Sequence, residues 1–139
     1  MGARFTGWGM ALPDRIVTND ELSKTLPTSD EWIQERTGIK ERRIGSTVTA
    51  LGAIAGRGAI DDAGLDVKDI DFLILATSAA DRITPATSSM IAHEIGLSCP
   101  AMDVNAACSG FSPRIPQNKC GLQAFIMSYW KTIYITRLA

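Results

Sequence analysis

The chain has 139 residues, of which 45% are hydrophobic and 21% charged, and a formal net charge of −1. That length is one domain's worth and long enough for a buried core, while so balanced a charge argues against nucleic acid as a general partner, which needs a concentrated basic face. No run approaches the length of a membrane span, no charged-then-apolar leader opens the chain, and three cysteines without CxxC spacing fit a reduced, cytoplasmic setting better than a disulfide scaffold.

In chain order, Phe5 to Met10 reads as a strand closed by Leu12-Pro13-Asp14, and Thr18-Asn19-Asp20 offers an N-cap for a short helix carrying Leu22. Ser29-Asp30 caps a second helix that holds Trp32, Ile33 and Arg36, with Gly38 as its stop. From Thr47, the residues Val48, Leu51, Ile54, Ala55 and Ala59 fall near helical spacing up to Ala63-Gly64-Leu65. Gly52, Gly56 and Gly58 inside that helix each cost about 1 kcal/mol relative to Ala, which points to close packing against a neighbour. Phe72 to Thr77 is a continuous apolar run, as expected of a strand covered on both faces. A helix from about Pro85 to Ile95, stopped by Gly96, leads to a short strand at Ala101 to Val104. Strands and helices alternating in this way predict a layered α/β fold with parallel crossovers.

The composition then changes. All fifteen acidic residues lie between Asp14 and Asp103, whereas residues 112–139 hold Arg114, Lys119, Lys131 and Arg137 and no acid. Residues 1–111 therefore read as one body and 112–139 as a divergent tail, with a frameshifted or truncated gene as the preferred explanation. In that tail Leu122, Phe125, Ile126, Tyr129, Trp130, Ile133 and Tyr134 follow a three-four spacing that predicts an amphipathic helix, although the aromatic and β-branched content also allows a strand.

Two groups of residues carry chemistry. Asp103-Val104-Asn105-Ala106-Ala107-Cys108-Ser109-Gly110-Phe111 puts a thiol where an apolar segment passes into small residues suited to opening a helix. A helix N-terminus lowers a thiol pKa from about 8.5 towards the nucleophilic thiolate, and small neighbours let backbone N–H groups approach an oxyanion. A small buried hydrophobe is the plain alternative, and on these residues alone the two readings stand level. In the second group Trp32 and Arg36, four apart, share a helix face just after Thr28. An indole beside a guanidinium suits a nucleotide, the ring stacking on the base and the cation meeting phosphate; a surface Trp with Arg stacked on it is the plain alternative.

Both segments resemble motifs of the thiolase-like condensing enzymes, specifically β-ketoacyl-acyl-carrier-protein synthase III. The cysteine segment is similar to that family's D-x-x-A-A-C-S/A-G-F context, and Thr28-Ser29-Asp30-Glu31-Trp32-Ile33 to Arg43 to its T-S-D-E-W-I-x-x-R-T-G-I-x-x-R signature. The resemblance runs from about Gly7 to Phe111, so the chain looks like the N-terminal half only. It implies a thiolase-like layered α/β fold with a mixed sheet and covering helices. By resemblance, Cys108 is the acyl-accepting nucleophile, Thr28 and Trp32 contact the adenine end of coenzyme A, and Arg36 its phosphates. The implied reaction is decarboxylative condensation of an acyl-coenzyme A with malonyl-acyl-carrier-protein, which initiates fatty acid biosynthesis, in a cytoplasmic homodimer without metal or permanent cofactor. The family draws a His and an Asn for the condensation from its second half, so this chain is expected to be an incomplete, inactive half. A coenzyme A binding remnant or an unstable fragment is the alternative.

The remaining candidates are weaker. His93 is expected to be solvated or locally bonded, Asp103 to orient backbone near the cysteine, Asp61-Asp62 to be a charged helix end, and Arg42-Arg43 to be a solvated basic pair. By resemblance, Thr84 stands where the family presents an acyl-pocket side chain to the partner subunit. Pro113 and Pro116 interrupt the helix that should follow Cys108, at about 3 kcal/mol or more for an interior proline, which predicts a cysteine with reduced thiolate character.

Overall fold

A computed structural model describes residues 3–105, 123–127 and 132–138, with side chains described from Thr6 to Asn105. The elements are β1 (Ala3–Met10), β2 (Arg15–Thr18), α1 (Asn19–Ser23), α2 (Asp30–Thr37), β3 (Glu41–Ile44), α3 (Val48–Asp62), a 3-10 turn (Val67–Asp69), β4 (Leu73–Ala76), α4 (Thr87–Ile95), β5 (Ala101–Val104), β6 (Gln123–Met127) and β7 (Thr132–Leu138). They divide into two compact units, Leu12–Ser46 on one hand and residues 1–11 with 47–139 on the other.

The larger unit is a five-stranded mixed sheet in the order β1-β7-β6-β4-β5. Its centre is parallel, β4 pairing with both β5 and β6, whereas β7 runs antiparallel to β6 and β1. All four residues of β4 are buried, as its unbroken apolar run requires of a strand covered on both faces. The core gathers Ala53, Ala55, Ala59 and Ile60 of α3, Leu73 and Leu75 of β4, and Ile91 and Ile95 of α4. Two glycines set the spacing. At Gly9 a Cβ would collide with the Ala55 carbonyl and Ala59 nitrogen of α3, so β1 approaches α3 more closely than any other residue would permit, and at Gly52 the missing Cβ leaves room for the Ile91 side chain of α4.

The smaller unit pairs β2 with β3 antiparallel, from Arg15 opposite Ile44 to Thr18 opposite Glu41, with α1 and α2 between them in the chain. Neither strand is signalled by the sequence pattern. Each has four residues, and Glu41-Arg42-Arg43-Ile44 is too charged to show an apolar alternation.

The tail departs from the helical expectation. Its described residues form β6 and β7, because the open backbones of β4 and β1 offer a hydrogen-bonding ladder to each and Thr132, Ile133, Ile135 and Thr136 favour extended backbone. The boundary at residue 111 lies outside the described residues.

Candidate functional site

The Thr28 to Arg36 segment is built by helix α2. Ser29 at its N-cap is extended, with φ −136° and ψ 163°, and its hydroxyl accepts from the Trp32 N–H at 3.2 Å. Asp30 and Glu31 in the first turn and Arg36 in the last complement the helix dipole. Gly38, at φ 69°, closes the helix through its N–H to the Gln34 carbonyl at 2.8 Å. Ile33 is the one buried residue of α2, Asp30 and Gln34 are half-buried, and Glu31, Trp32, Glu35, Arg36 and Thr37 are exposed. Trp32 is 54% exposed, and the Arg36 guanidinium carbon sits 5.1 Å from the indole centroid, the one-face pairing that their spacing predicts. Thr28, just before the cap, has a buried hydroxyl with no hydrogen-bond partner among the described residues. A buried polar atom left in that state costs free energy that an incoming acceptor or donor would recover.

Behind this surface lies a polar network that the sequence pattern did not show. Asn19 is 1% exposed; its Nδ2 donates to Asp30 Oδ1 at 2.7 Å and to the Ile39 carbonyl at 2.8 Å, and its Oδ1 accepts from Arg42 at 2.6 Å. Gln34 donates to the other Asp30 oxygen at 2.6 Å. Arg42 and Arg43 are thus not a solvated pair: Arg42 meets Asn19, and Arg43 donates to the Pro13 carbonyl at 3.2 Å. Antiparallel pairing of β2 with β3, itself not foreseen, brings both arginines to these partners.

Cys108 lies outside the described residues, as do Ser109 and the prolines after it. The strand that leads towards it, β5, is described. Asp103 on β5 accepts the Thr87 and Ser88 N–H groups at 2.9 and 2.8 Å, so the backbone it orients is the first turn of α4. That helix has no side-chain cap of its own, its N-cap being Ala86, and Asp103 supplies one from fifteen residues away. Asp81 does the same for α3. Its carboxylate accepts from the Val48 N–H at 2.9 Å and from the Thr49 N–H and hydroxyl at 2.7 and 2.6 Å. Burial alone would raise the Asp81 carboxyl, but the bonds from Thr49 and Val48 and the charge of Arg82 outweigh it and hold the group below its ordinary value.

Cys99 is half-buried in a cleft of about 360 Å³ with Lys68, Asp71 and Ser98. Burial, with the negative charge of Asp71, pushes its thiol up, which makes it a poor nucleophile. His93 is exposed, as a solvated histidine would be, and Thr84 is exposed ahead of Pro85. Asp62, at the end of α3, accepts from the Trp8 N–H at 3.0 Å, a structural bond at a helix end rather than an acid/base pair.

Comparison with known proteins places this geometry. The chain is 48% identical over 111 residues to β-ketoacyl-acyl-carrier-protein synthase III of Vesicomyosocius okutanii, and 51% identical over 113 residues to that of Roseiflexus castenholzii, in each case over 78% of this chain. Over these residues the chain is similar to the β-ketoacyl-acyl-carrier-protein synthase III family. It spans about a third of the length of these synthase III relatives. Among solved structures, a 3-oxoacyl-acyl-carrier-protein synthase III from Aquifex aeolicus superposes with a TM-score of 0.92 at 29% identity, covering 99% of this chain and 54% of that one. The synthase III of Pseudomonas aeruginosa gives a TM-score of 0.85 at 27% identity, covering 100% of this chain and 52% of that one. The fold is accordingly the thiolase-like α/β architecture. Likeness of fold extends further along the chain than likeness to the curated synthase III sequences does. No protein-family model matches the chain.

Proposed function

We propose that this chain is the acyl-accepting part of a β-ketoacyl-acyl-carrier-protein synthase III, an acyltransferase that joins an acyl-coenzyme A to malonyl-acyl-carrier-protein at the start of fatty acid biosynthesis. The observation that carries the reading is the α2 surface: an exposed Trp32 backed by the Arg36 guanidinium, beside a buried Thr28 hydroxyl that lacks a partner among the described residues. Trp32 and Thr28 bind the adenine end of coenzyme A and Arg36 its phosphates. Cys108 attacks the thioester carbonyl as a thiolate, the oxyanion of the tetrahedral intermediate collapses, and coenzyme A leaves as its thiolate while the acyl group remains on sulfur.

The condensation that follows needs a His and an Asn to bind the thioester and malonyl carbonyls as charge develops. The family's second half supplies both, so the whole cycle belongs to a protein longer than this chain. Residues 1–111 form the condensing-enzyme part and residues 112–139 a divergent tail. Acyl-coenzyme A is a substrate and not a resident cofactor, the other substrate is a malonylated carrier protein, the assembled enzyme is a homodimer, and the compartment is the cytoplasm. Among the described residues no helix is long and apolar enough to cross a membrane.

Incubation with acetyl-coenzyme A followed by peptide mapping tests the reading. Acetyl on Cys108 supports it, and saturable coenzyme A binding without acylation supports a binding remnant instead. Neither binding nor acylation refutes both. Because prolines such as Pro113 and Pro116 disfavour a helix in the residues that follow the cysteine, alkylation of Cys108 by iodoacetamide should rise with pH about an ordinary thiol value of about 8.5. An inflection far below that value would show a thiolate that the prolines have not weakened.

A further inference from the structure

We propose that Asn19 is the positioning residue of the nucleotide-binding helix, a role that rests on the coenzyme A reading of Thr28, Trp32 and Arg36. The side chain is 1% exposed and makes three bonds to three separate parts of its unit: the start of α2 through Asp30, the segment after α2 through the Ile39 carbonyl, and β3 through Arg42. Its orientation is fixed by chemistry. Arg42 can only donate, and the Asp30 carboxylate and the Ile39 carbonyl can only accept, so turning the amide over would set like groups against each other at every contact.

Asp30 is the first residue of α2, directly after the Ser29 cap and two residues from Thr28, and its second oxygen is held by Gln34 one turn on. Both ends of α2 are thereby tied to one buried amide, Asp30 at its start and Ile39 just past the Gly38 stop. Apolar packing does little of this work, because Ile33 is the only buried residue of the helix. Asp, Ser and Leu at position 19 would not reproduce the set. Asp would place a carboxylate against Asp30, Ser is too short to span three partners, and Leu would leave Asp30 and Arg42 half-buried without their bonds. Arg42, which the sequence offered no role, becomes part of the same device, its charge strengthening a 2.6 Å bond.

The test is calorimetric titration of the full chain with coenzyme A, comparing the parent, Asn19→Ser, Trp32→Ala and the double variant, each checked by thermal melt. Loss of these bonds should weaken coenzyme A about tenfold in Asn19→Ser, the scale of one charge-assisted hydrogen bond. If Asn19 acts through the helix, the same change made in the Trp32→Ala background should cost little more. Unchanged affinity in Asn19→Ser, or a full tenfold loss in both backgrounds, overturns the inference, since the second marks a general structural defect. Should Asn19→Ser lose its cooperative melt, Arg42→Gln decides, because it removes one bond from a half-buried position: a several-fold loss that vanishes beside Trp32→Ala supports the role, and unchanged affinity refutes it. Unaltered binding in Trp32→Ala itself overturns the coenzyme A reading and this inference with it.

Discussion

The two units solve the same problem, holding a helix start in place, by different chemistry. In the larger unit α3 and α4 are clamped by carboxylates that reach them from distant positions, Asp81 on Val48 and Thr49, and Asp103 on Thr87 and Ser88. In the smaller unit α2 is capped by its own Ser29 and tied down by the neutral amide of Asn19. The larger unit also owns a contiguous apolar core, whereas Val17 and Ile33 are the main buried apolar side chains of the smaller. A unit rich in buried apolar area tolerates clamps that titrate. A unit with little of it relies on a polar hub in which one neutral amide bridges the Asp30 carboxylate and the Arg42 guanidinium.

Three perturbations sharpen the contrast. Leu75→Ala, at a fully buried position of β4, should cost about 3 kcal/mol, within the range for core leucines, and chemical denaturation should show it in the larger unit's transition. A change below about 1 kcal/mol would mean that the core is not where this unit's stability resides. Asp103→Ala leaves two helix N–H groups without their acceptor and should cost about 2 kcal/mol, measurable by the same method. Asp103→Asn should recover part of it, since an amide oxygen still accepts.

Acid titration gives the smallest effect. The folded carboxyl of Asp81 lies below its ordinary value, so its contribution is present in full above the unfolded value of about 3.9 and is lost as pH falls through the lower folded value. Asp81→Asn should therefore flatten the acid limb of the stability curve by a fraction of a kcal/mol, because the carboxylate is exposed to solvent.

Much of this was legible in the sequence, for identifiable reasons. Thr18, Ser29 and Thr47 are N-cap residues whose oxygens accept from the third residue onward, and each starts a helix where expected. Gly38 and Gly96 end theirs in the left-handed region, at φ 69° and 90°. The four-residue spacing of Trp32 and Arg36 was enough to foresee their pairing. Other features depend on contacts that no local pattern encodes. The β2–β3 ribbon is short and charged, the Asn19 hub joins residues up to 23 positions apart, and Asp81 reaches 33 positions back to Val48. The tail's three-four spacing suggested a helix because periodicity is blind to partners: β4 and β1 were waiting to pair with it.

The most direct test of the central claim is to treat the full chain with acetyl-coenzyme A and map acetyl groups on its three cysteines, in parallel with Trp32→Ala. The account predicts an acetyl thioester on Cys108 alone, with Cys99 unmodified because its thiol is pushed up, and a marked loss of labelling in Trp32→Ala. Labelling spread over Cys99, Cys108 and Cys120, or labelling of Cys108 that is indifferent to Trp32, would contradict it.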